Sequence, residues 1–373
     1  MLENLNHINF NNISSNKNIG IEVGFEIQEA SWLKSPFKSI TGRGSDRGIR
    51  TYAVKNVQPY RPRLKAQLSG SGVNGNTDFD ANYDKLEILS QTIYPEVFGN
   101  ALPSQIRAYD EIERIDFVKE ACDSLANWMN EERDKRIVAS LTNDFTNYLH
   151  TSTMNIATIR KAIFLARNGL KEDNTKVFPI KPIRADMVGV GDVIVQNTSY
   201  IIFLDSYQAN QLKKDSEFKD LQKLYAFANE DKSALYHGLL GVIDNCPVID
   251  AGVWNKLNVG MPNSTISESE FKRYINKANV NSIVSPVQLK EKIKERTKEI
   301  SIGCLIGASS VLLAGSETTN FYIDETKDAG RKSVVGVDCI LGVSKAKYQS
   351  TEGVNTPYDN QDFAVIGLIS NME

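Results

Sequence analysis

The sequence predicts an α+β protein in which helices and strands are intermixed without a regular βαβ repeat. Three observations support this class. Residues 104–141 carry the longest helical pattern, with neither glycine nor proline after Pro103. Apolar runs of strand type lie near the end of the chain, at Ser333–Tyr348 and Phe363–Ser370. The segments between them alternate in no fixed order, and no internal repeat is visible.

The composition is that of an ordinary soluble protein, with 41% hydrophobic and 24% charged residues. A net charge of -3 over 373 residues indicates neither a nucleic-acid-binding nor a membrane-surface protein. The N-terminus lacks a basic segment followed by an apolar run, so we expect no signal peptide and synthesis in the cytoplasm. Four widely spaced cysteines in apolar contexts are expected to be buried and reduced. They are Cys122, Cys246, Cys304 and Cys339.

The chain begins with an asparagine-rich segment, 1–31, that shows no sustained period. It predicts an extended or partly disordered arm, which is either a free tail or an arm lying along a neighbouring subunit.

The next segment has a strongly uneven charge. Nine basic residues in Lys34–Lys65 face one acid, Asp46, and acids dominate the stretch that follows. Strand-like runs at Arg63–Leu68 and Leu86–Tyr94 flank the turn-forming residues 69–84. We therefore expect a long two-stranded hairpin over 49–98, with a solvated surface loop as the alternative. Opposite charges on its two parts suggest that copies of the same chain meet there.

The helical pattern of 104–141 has apolar residues at three- and four-residue steps. These are Ile112, Ile115, Cys122, Leu125, Ala126 and Met129. About thirty such residues give a rod of roughly 45 Å, which is typical of a protein built around a spine.

The remaining elements are shorter. Asn155–Leu170 predicts an amphipathic helix that ends at Gly169, and Ser206–Leu224 predicts a surface helix. Leu239–Val253 suits short strands. The apolar, Ala- and Ser-containing run Leu305–Leu313 is expected to form a buried helix.

No chemical motif predicts an active site. Gly70–Gly75 matches GxGxxG by letter, but no helix pattern follows it. Asp78, Asp80 and Asn82 match three ligand positions of a calcium loop, whose turn glycine and final glutamate are absent. None of the histidines lies near a second ligand; they are His7, His150 and His237. We expect no enzymatic activity, no cofactor and no metal.

The order of arm, charged hairpin, spine helix and mixed body resembles the major capsid proteins of tailed bacteriophages. That family has the Hong Kong 97-type fold, and several stretches are similar to its podovirus-type branch. They are Arg107–Arg114 leading to Leu125–Trp128, Tyr200–Asp215, Gly238–Asp250, Leu305–Gly315 and Lys345–Tyr348.

The resemblance implies a domain organisation. It gives an N-terminal arm at 1–48, an E-loop hairpin at 49–98 and a peripheral P-domain at 99–235 that contains the spine helix. An axial A-domain at 236–345 and a C-terminal strand at 346–373 complete it.

The resemblance also implies the function of a structural protein that assembles into pentamers and hexamers of an icosahedral shell. The shell would enclose double-stranded DNA, after assembly in the host bacterial cytoplasm, and the protein would reside in the virion capsid. Implied partners are further copies, a portal, scaffolding or decoration proteins and the packaged DNA, but no membrane. An encapsulin-like compartment, or less favourably an enzyme with a dispersed site, is the alternative.

Under this interpretation the basic segment docks on acids of a neighbouring copy. The basic candidates are Arg43, Arg47, Arg50, Lys55, Arg61, Arg63 and Lys65. The acidic candidates are Asp110, Glu111, Glu113 and Asp116, with the acids near 131–134 as a second option.

Overall fold

Two six-stranded β-sheets and one long helix organise the described part of the fold. The computed structural model describes residues 17–33, 35–65, 73–75, 88–105, 117–184, 188–190, 193–195, 198–228, 239–251, 268–276, 284, 286–293, 299–350 and 359–372. Within these ranges the α-helices are α1 (Lys17–Leu33), α2 (Phe117–Thr142), α3 (Ile156–Asn168), α4 (Ser206–Lys214), α5 (Ser216–Ala228), α6 (Glu268–Tyr274) and α7 (Pro286–Lys292).

The strands alternate with these helices in sequence, which confirms the predicted α+β class. They are β1 (Thr41–Gly42), β2 (Ile49–Ala53), β3 (Arg63–Lys65), β4 (Ile88–Ser90), β5 (Glu96–Pro103), β6 (Tyr148–Thr151), β7 (Ile183–Arg184), β8 (Val188–Val190), β9 (Val193–Val195), β10 (Thr198–Ser199), β11 (Ile201–Leu204), β12 (Leu239–Ile243), β13 (Cys246–Asp250), β14 (Ile300–Ile306), β15 (Val311–Gly315), β16 (Asn320–Lys327), β17 (Lys332–Lys345), β18 (Gln349–Ser350) and β19 (Val365–Asn371).

The first sheet contains β1, β2, β15, β17, β16 and β5. Strand β17 is its axis, because β15 and β16 lie end to end along one side of it and β5 lies along the other. Strand β2 adds to β15 in parallel, and β1 adds to β2. The sheet therefore joins three distant stretches of the chain, 41–53, 96–103 and 311–345.

The second sheet has the order β12-β13-β11-β14-β19-β6. Every residue of β11, β14 and β19 is buried, because helices cover both faces of the sheet. Helices α3, α4 and α5 pack on one face, and the C-terminal half of α2 packs on the other. Strands buried on both faces are continuous apolar runs in sequence, without the alternation of a half-exposed strand.

Helix α2 connects the two sheets. Its N-terminal half packs with α1 on the first sheet through Leu125 and Met129. Its C-terminal half places Ile137 and Leu141 in a core that contains residues of both sheets. The helix has 26 residues, so it is about 39 Å long. The prediction of a long helix here is confirmed, and its apolar stripe explains why it can serve two sheets.

The predicted start of this helix at residue 104 is wrong. Pro103 is the last residue of β5, and the backbone N–H of Ser104 continues the pairing by donating to the carbonyl of Ser333 at 2.7 Å. Ser104 Oγ also accepts a hydrogen bond from the Ser333 N–H. Residues 106–116 lie outside the described part of the chain. A proline before a polar, helix-compatible stretch suits a helix start and a strand end equally well.

The prediction of an extended or disordered arm over 1–31 is wrong for residues 17–31, because these residues belong to α1. Its buried face has Val23, Ile27 and Ala30 at helical spacing against α2 and the first sheet. Residues 1–16 lie outside the described part. The helical period was hidden because apolar residues recur at every second position from Ile19 to Ile27, and two of them, Ile21 and Phe25, are exposed.

The prediction of a buried helix at Leu305–Leu313 is also wrong. This run is the end of β14, a turn and the start of β15. Ser309 turns the chain with a left-handed φ of 60°, and its N–H donates to the carbonyl of Arg47. The run is apolar because both strands are buried in their sheets, and a short buried strand cannot be told from a buried helix by period.

The shorter predicted elements are confirmed. Helix α3 begins after Asn155, whose side chain accepts from the Thr158 N–H at 2.9 Å, and ends at Gly169 with φ 62°. The residues of the predicted surface helix 206–224 fold as α4 and α5. Strands β12, β13, β17 and β19 lie where strands were expected.

Gly24 should be required for the docking of α1, because a Cβ there would lie 2.0 Å from the carbonyl oxygen of Thr319. We expect Gly24→Ala to detach α1 and to speed hydrogen exchange of its amides, measured by mass spectrometry. Gly20→Ala is the matched control, since a Cβ at residue 20 would meet only the Phe321 carbonyl at 3.9 Å. Alanine at that half-buried helix position has room for its methyl group and should stabilise by about 0.5–1 kcal/mol. Equal protection of α1 in both variants would contradict the prediction.

Candidate assembly interface

The base of the predicted hairpin is present in the structure. Strand β3 pairs antiparallel with β4, and β18 pairs with the other side of β4. An isolated bridge between Tyr60 and Ile93 extends the pairing toward the body. Leu89 and Ile93 anchor this base in a small core of their own. The turn-forming middle of the hairpin lies almost entirely outside the described residues.

The basic side chains of the hairpin base differ in how available they are to a second molecule. Arg61 Nε donates to Ser90 Oγ at 2.9 Å, so this side chain is already used within the chain. Lys55 and Arg63 are exposed. Lys65 lies at the end of β3. Of these four, Lys55 and Arg63 are the ones best placed for a second molecule.

The other basic candidates flank the first sheet. Arg43 forms an ion pair with Glu317 of the same chain. The Arg50 guanidinium lies over the Tyr52 ring, 5.0 Å from its centroid. Arg47 lies in the turn before β2, where its carbonyl accepts from Ser309.

Only the second of the two predicted sets of acidic partners lies in the described part of the chain. Asp110, Glu111, Glu113 and Asp116 lie outside the described residues. The second option was the acids near 131–134, and two of these acids are not accessible to a neighbouring copy. Glu132 is buried and ion-paired with Lys135 and Arg136, and Asp134 is also buried. Glu131 is the exposed acid of that group.

Sequence reasoning missed a buried charge cluster, which consists of Lys345, Lys347, Asp144 and Asp362. Lys345 Nζ lies 3.0 Å from Asp362 Oδ1, and both side chains are almost completely buried. Lys347 Nζ lies 2.8 Å from Asp144 Oδ2 and 3.8 Å from Asp362 Oδ1. The cluster joins the end of β17 in the first sheet to the segments before β6 and β19 in the second.

Hydrogen bonds and a ring contact complete the charge cluster. Asp362 Oδ2 accepts from the backbone N–H of Thr146 at 2.7 Å. Lys345 Nζ also lies 4.2 Å from the centroid of the Phe145 ring. Burial lowers the pKa of Lys345 to about 8, although the charge of Asp362 opposes the shift. Burial raises the pKa of Asp144, but the hydrogen bond and charge of Lys347 outweigh it, so this pKa lies below its usual value.

A second buried contact fixes α1 to α2. The Arg133 guanidinium stacks on Trp32 at 3.5 Å from the ring centroid and donates to the Ser31 carbonyl at 2.9 Å. Ser35 Oγ donates to Asp134 Oδ1 at 2.7 Å. Burial raises the pKa of Asp134 to about 6, although the Arg133 charge and the Ser35 hydrogen bond lower it in part.

The described residues hold no group of three or more His, Cys, Asp or Glu side chains that could bind a metal ion. His150 Nε2 lies 3.0 Å from Asn371 Oδ1, within the second sheet. Cys122, Cys246 and Cys304 are buried as predicted, Cys339 is half-buried, and all are free thiols. No helix of the described residues has the length and apolar character needed to cross a membrane.

Residues 170–371 match a protein family described as phage capsid protein. This match spans more than half of the chain. The chain belongs to the phage capsid protein family. This capsid protein is also 76% identical, over 381 aligned residues and the full length of both chains, to "Major structural protein ORF14" of Helicobacter pylori bacteriophage KHP30.

Solved capsid structures agree with this family. The capsid protein matches a chain of the head of Helicobacter pylori bacteriophage KHP40 at 75% identity and a TM-score of 0.83, with both chains fully covered. The capsid of Ralstonia phage GP4 matches at 14% identity and a TM-score of 0.64, covering 91% of this chain and 92% of that one, which shows the fold alone. The protein is a structural major capsid protein with a Hong Kong 97-type α+β fold, located in the virion capsid.

The buried charge cluster should contribute strongly to the stability of the capsid protein. Lys345→Met leaves Asp362 buried without its nearest cation, and such a loss costs about 3–5 kcal/mol. Chemical denaturation should show this as a lower free energy of unfolding. The control, Lys161→Met, removes a half-exposed pair with Glu172 and should cost about 0–1 kcal/mol. An unchanged midpoint in Lys345→Met would refute the role of the cluster.

Asp134 should make the fold more stable in mild acid. Its folded pKa lies above the unfolded value, so the native state binds more protons between about pH 4 and 6. The contribution of this group is therefore largest at pH 4, declines as pH rises to 6 and stays constant above. Thermal unfolding from pH 4 to 7 should show a steeper decline in the wild type than in Asp134→Asn, which keeps an acceptor for Ser35. Parallel profiles would exclude this effect.

Proposed function

We propose that this capsid protein assembles into pentamers and hexamers of an icosahedral shell that encloses double-stranded phage DNA. The observation that carries the proposal is the full-length similarity to the head protein of bacteriophage KHP40. The described fold suits a shell subunit, because two sheets tied by one helix and a buried charge cluster give a stiff plate. Its partners would be further copies, a portal and scaffolding or decoration proteins.

The domain organisation is part of this proposal. The first sheet with α1 and α2 would form the body of the peripheral domain, and the second sheet with α3, α4 and α5 would form the axial domain. Residues around β3 and β4 would be the stem of the E-loop. These assignments differ from the bounds inferred from the sequence, because β15, β16 and β17 belong to the same sheet as β5.

The hairpin base would dock on acidic surface of a neighbouring copy. Support comes from Lys55 and Arg63, which are exposed beside the exposed apolar side chain of Val57. Asp110, Glu111, Glu113 and Asp116 remain the proposed acceptors. Single exposed ion pairs contribute about 0–1 kcal/mol, so the effect depends on repetition over many interfaces.

Tolerance of acid is a further part of the proposal. The solved KHP30 capsid structure, at 75% identity, is that of an acid-stable capsid. In this chain burial raises the pKa of Asp134 and of Asp205, so acid removes the cost of burying their charges. Asp144 in the charge cluster has a lowered pKa and holds its charge below the usual range. The raised pKa values of Asp134 and Asp205 favour a fold that survives mild acid, whereas the stabilisation from Asp144 is lost once the pH falls below the ordinary carboxylate range.

Assembly is tested by electron microscopy of the purified particles, together with nuclease-protected DNA content. Uniform closed shells containing DNA support the proposal. Shells filled with a protein cargo would favour an encapsulin-like compartment. A monomeric protein that never forms shells in infected cells would refute the proposal.

The docking surface is tested by charge reversal. Lys55→Glu with Arg63→Glu should abolish shells while leaving the circular dichroism spectrum and unfolding midpoint of the subunit unchanged. The control is Lys213→Glu with Lys214→Glu, an equal change of charge at exposed positions of α4. Normal shells from the first variant would remove the hairpin base as the docking surface.

A further inference from the structure

The strands on the two sides of β17 in the first sheet, β16 and β5, differ in what packs beside them. Helix α1 packs against β16, and a Cβ at Gly24 would lie only 2.0 Å from the carbonyl oxygen of Thr319, just before that strand. Strand β5, on the other side of β17, pairs with no second strand of the described part. It is also long for an edge strand, with eight residues. Long uncovered edges are templates for pairing with another chain, and proteins normally block them.

The outer edge of β5 presents backbone groups that no second strand of the described residues pairs with. The N–H of Ala101 bonds to the side-chain oxygen of Asn100 instead of to β17. The N–H of Ser104, three residues later, does point to β17. Because directions alternate along a strand, Val97, Gly99 and Ala101 all direct their N–H and C=O groups away from the sheet.

The side chains at this edge favour pairing. Val97 is 59% exposed, and Gly99 and Ala101 are exposed beside it. Between its terminal residues Glu96 and Pro103, β5 carries no charged side chain and no proline, and its pairing with β17 has no bulge.

The sequence around β5 is nearly symmetric about Gly99, which suits antiparallel pairing of the strand with a second copy of itself. Pro95 and Pro103 lie four residues to either side of Gly99. A proline cannot donate to a ladder, so the two prolines confine any added strand to the residues between them. An antiparallel copy centred on Gly99 places each Val97 opposite an Ala101 and the prolines at both ends. Every outward-facing pair between the prolines then exchanges both of its N–H···O bonds.

We propose that β5 of one copy pairs antiparallel with β5 of a second copy, about a twofold axis through Gly99. The inference rests on the proposed function, because only an assembled shell brings the copies together. The contact is isologous, so it closes at two copies and joins their first sheets into one continuous sheet. It leaves the basic hairpin base free for its separate, head-to-tail contact.

Cysteine cross-linking tests the pairing and its register. Facing residues of an outward pair have Cα atoms about 5.5 Å apart, which suits a disulfide. Within one chain, positions 97 and 101 are about 13 Å apart, so they cannot bond to each other. Oxidised particles of the double variant Val97→Cys, Ala101→Cys should shift from monomer to dimer on a non-reducing gel. Each single variant and the wild type, with its buried and half-buried thiols, should remain monomeric.

Other outcomes overturn the proposal. No dimer from the double variant, in particles that look normal by electron microscopy, removes the contact and leaves the shell function intact. A ladder of larger species indicates a head-to-tail neighbour at β5. Failure of the wild-type chain to form any shell is a different result, since it refutes the proposed function itself.

A charge exchange provides an independent test at the same positions. Val97→Lys with Ala101→Lys places like charges opposite each other in both outward pairs, and shell yield should fall. Val97→Lys with Ala101→Glu places opposite charges there and should restore the yield. Both positions are exposed, so each subunit should keep the wild-type unfolding midpoint. Equal yields from the two variants would overturn the proposed register.

Discussion

The fold depends most on the buried ion pair between Lys345 and Asp362, because it is where the two sheets are held together. Lys345 ends the longest strand of the first sheet, and Asp362 precedes the central strand β19 of the second. A pair of this kind contributes little beyond a well-packed apolar contact, but the absence of either partner is costly. The pair therefore serves mainly to fix the relative position of the two segments that carry it. The same carboxylate also accepts a hydrogen bond from the backbone N–H of Thr146.

The sequence was most informative where a periodic pattern met solvent and less so where burial was complete, although the fully buried β19 was also expected as a strand. The long helix, α3 and the strands around residues 239–253 could be predicted, because their exposed faces leave a readable alternation. The run at 305–313 could not, since both faces of its strands are buried and nothing distinguishes it from a buried helix. Helix α1 was missed because its docking requires Gly24, and both Gly20 and Gly24 lower the helical tendency of the segment.

The candidate surface was predicted in part. Strand-like runs on either side of turn-forming residues correctly predicted the paired hairpin base at β3 and β4. The charge asymmetry of the segment could not show that Arg43 and Arg61 are already engaged within the chain. The charge cluster escaped notice because its members are far apart in sequence, and Lys345 and Lys347 look like ordinary surface lysines. Only the pairing of β17 and the turn before β19 brings them to Asp144 and Asp362.

Strand β17 also has a mechanical consequence. It is paired on both sides over residues 334–338 and at Leu341, and it ends in the charge cluster. A tension applied at the tip of the β16–β17 hairpin is therefore carried along the strand axis into the second sheet. In that direction the ladder bonds on both sides share the load and must slip together, whereas a peeling force would break them one at a time. The subunit is thus strongest against stretching in its own plane, the direction in which internal pressure strains the wall of a closed container.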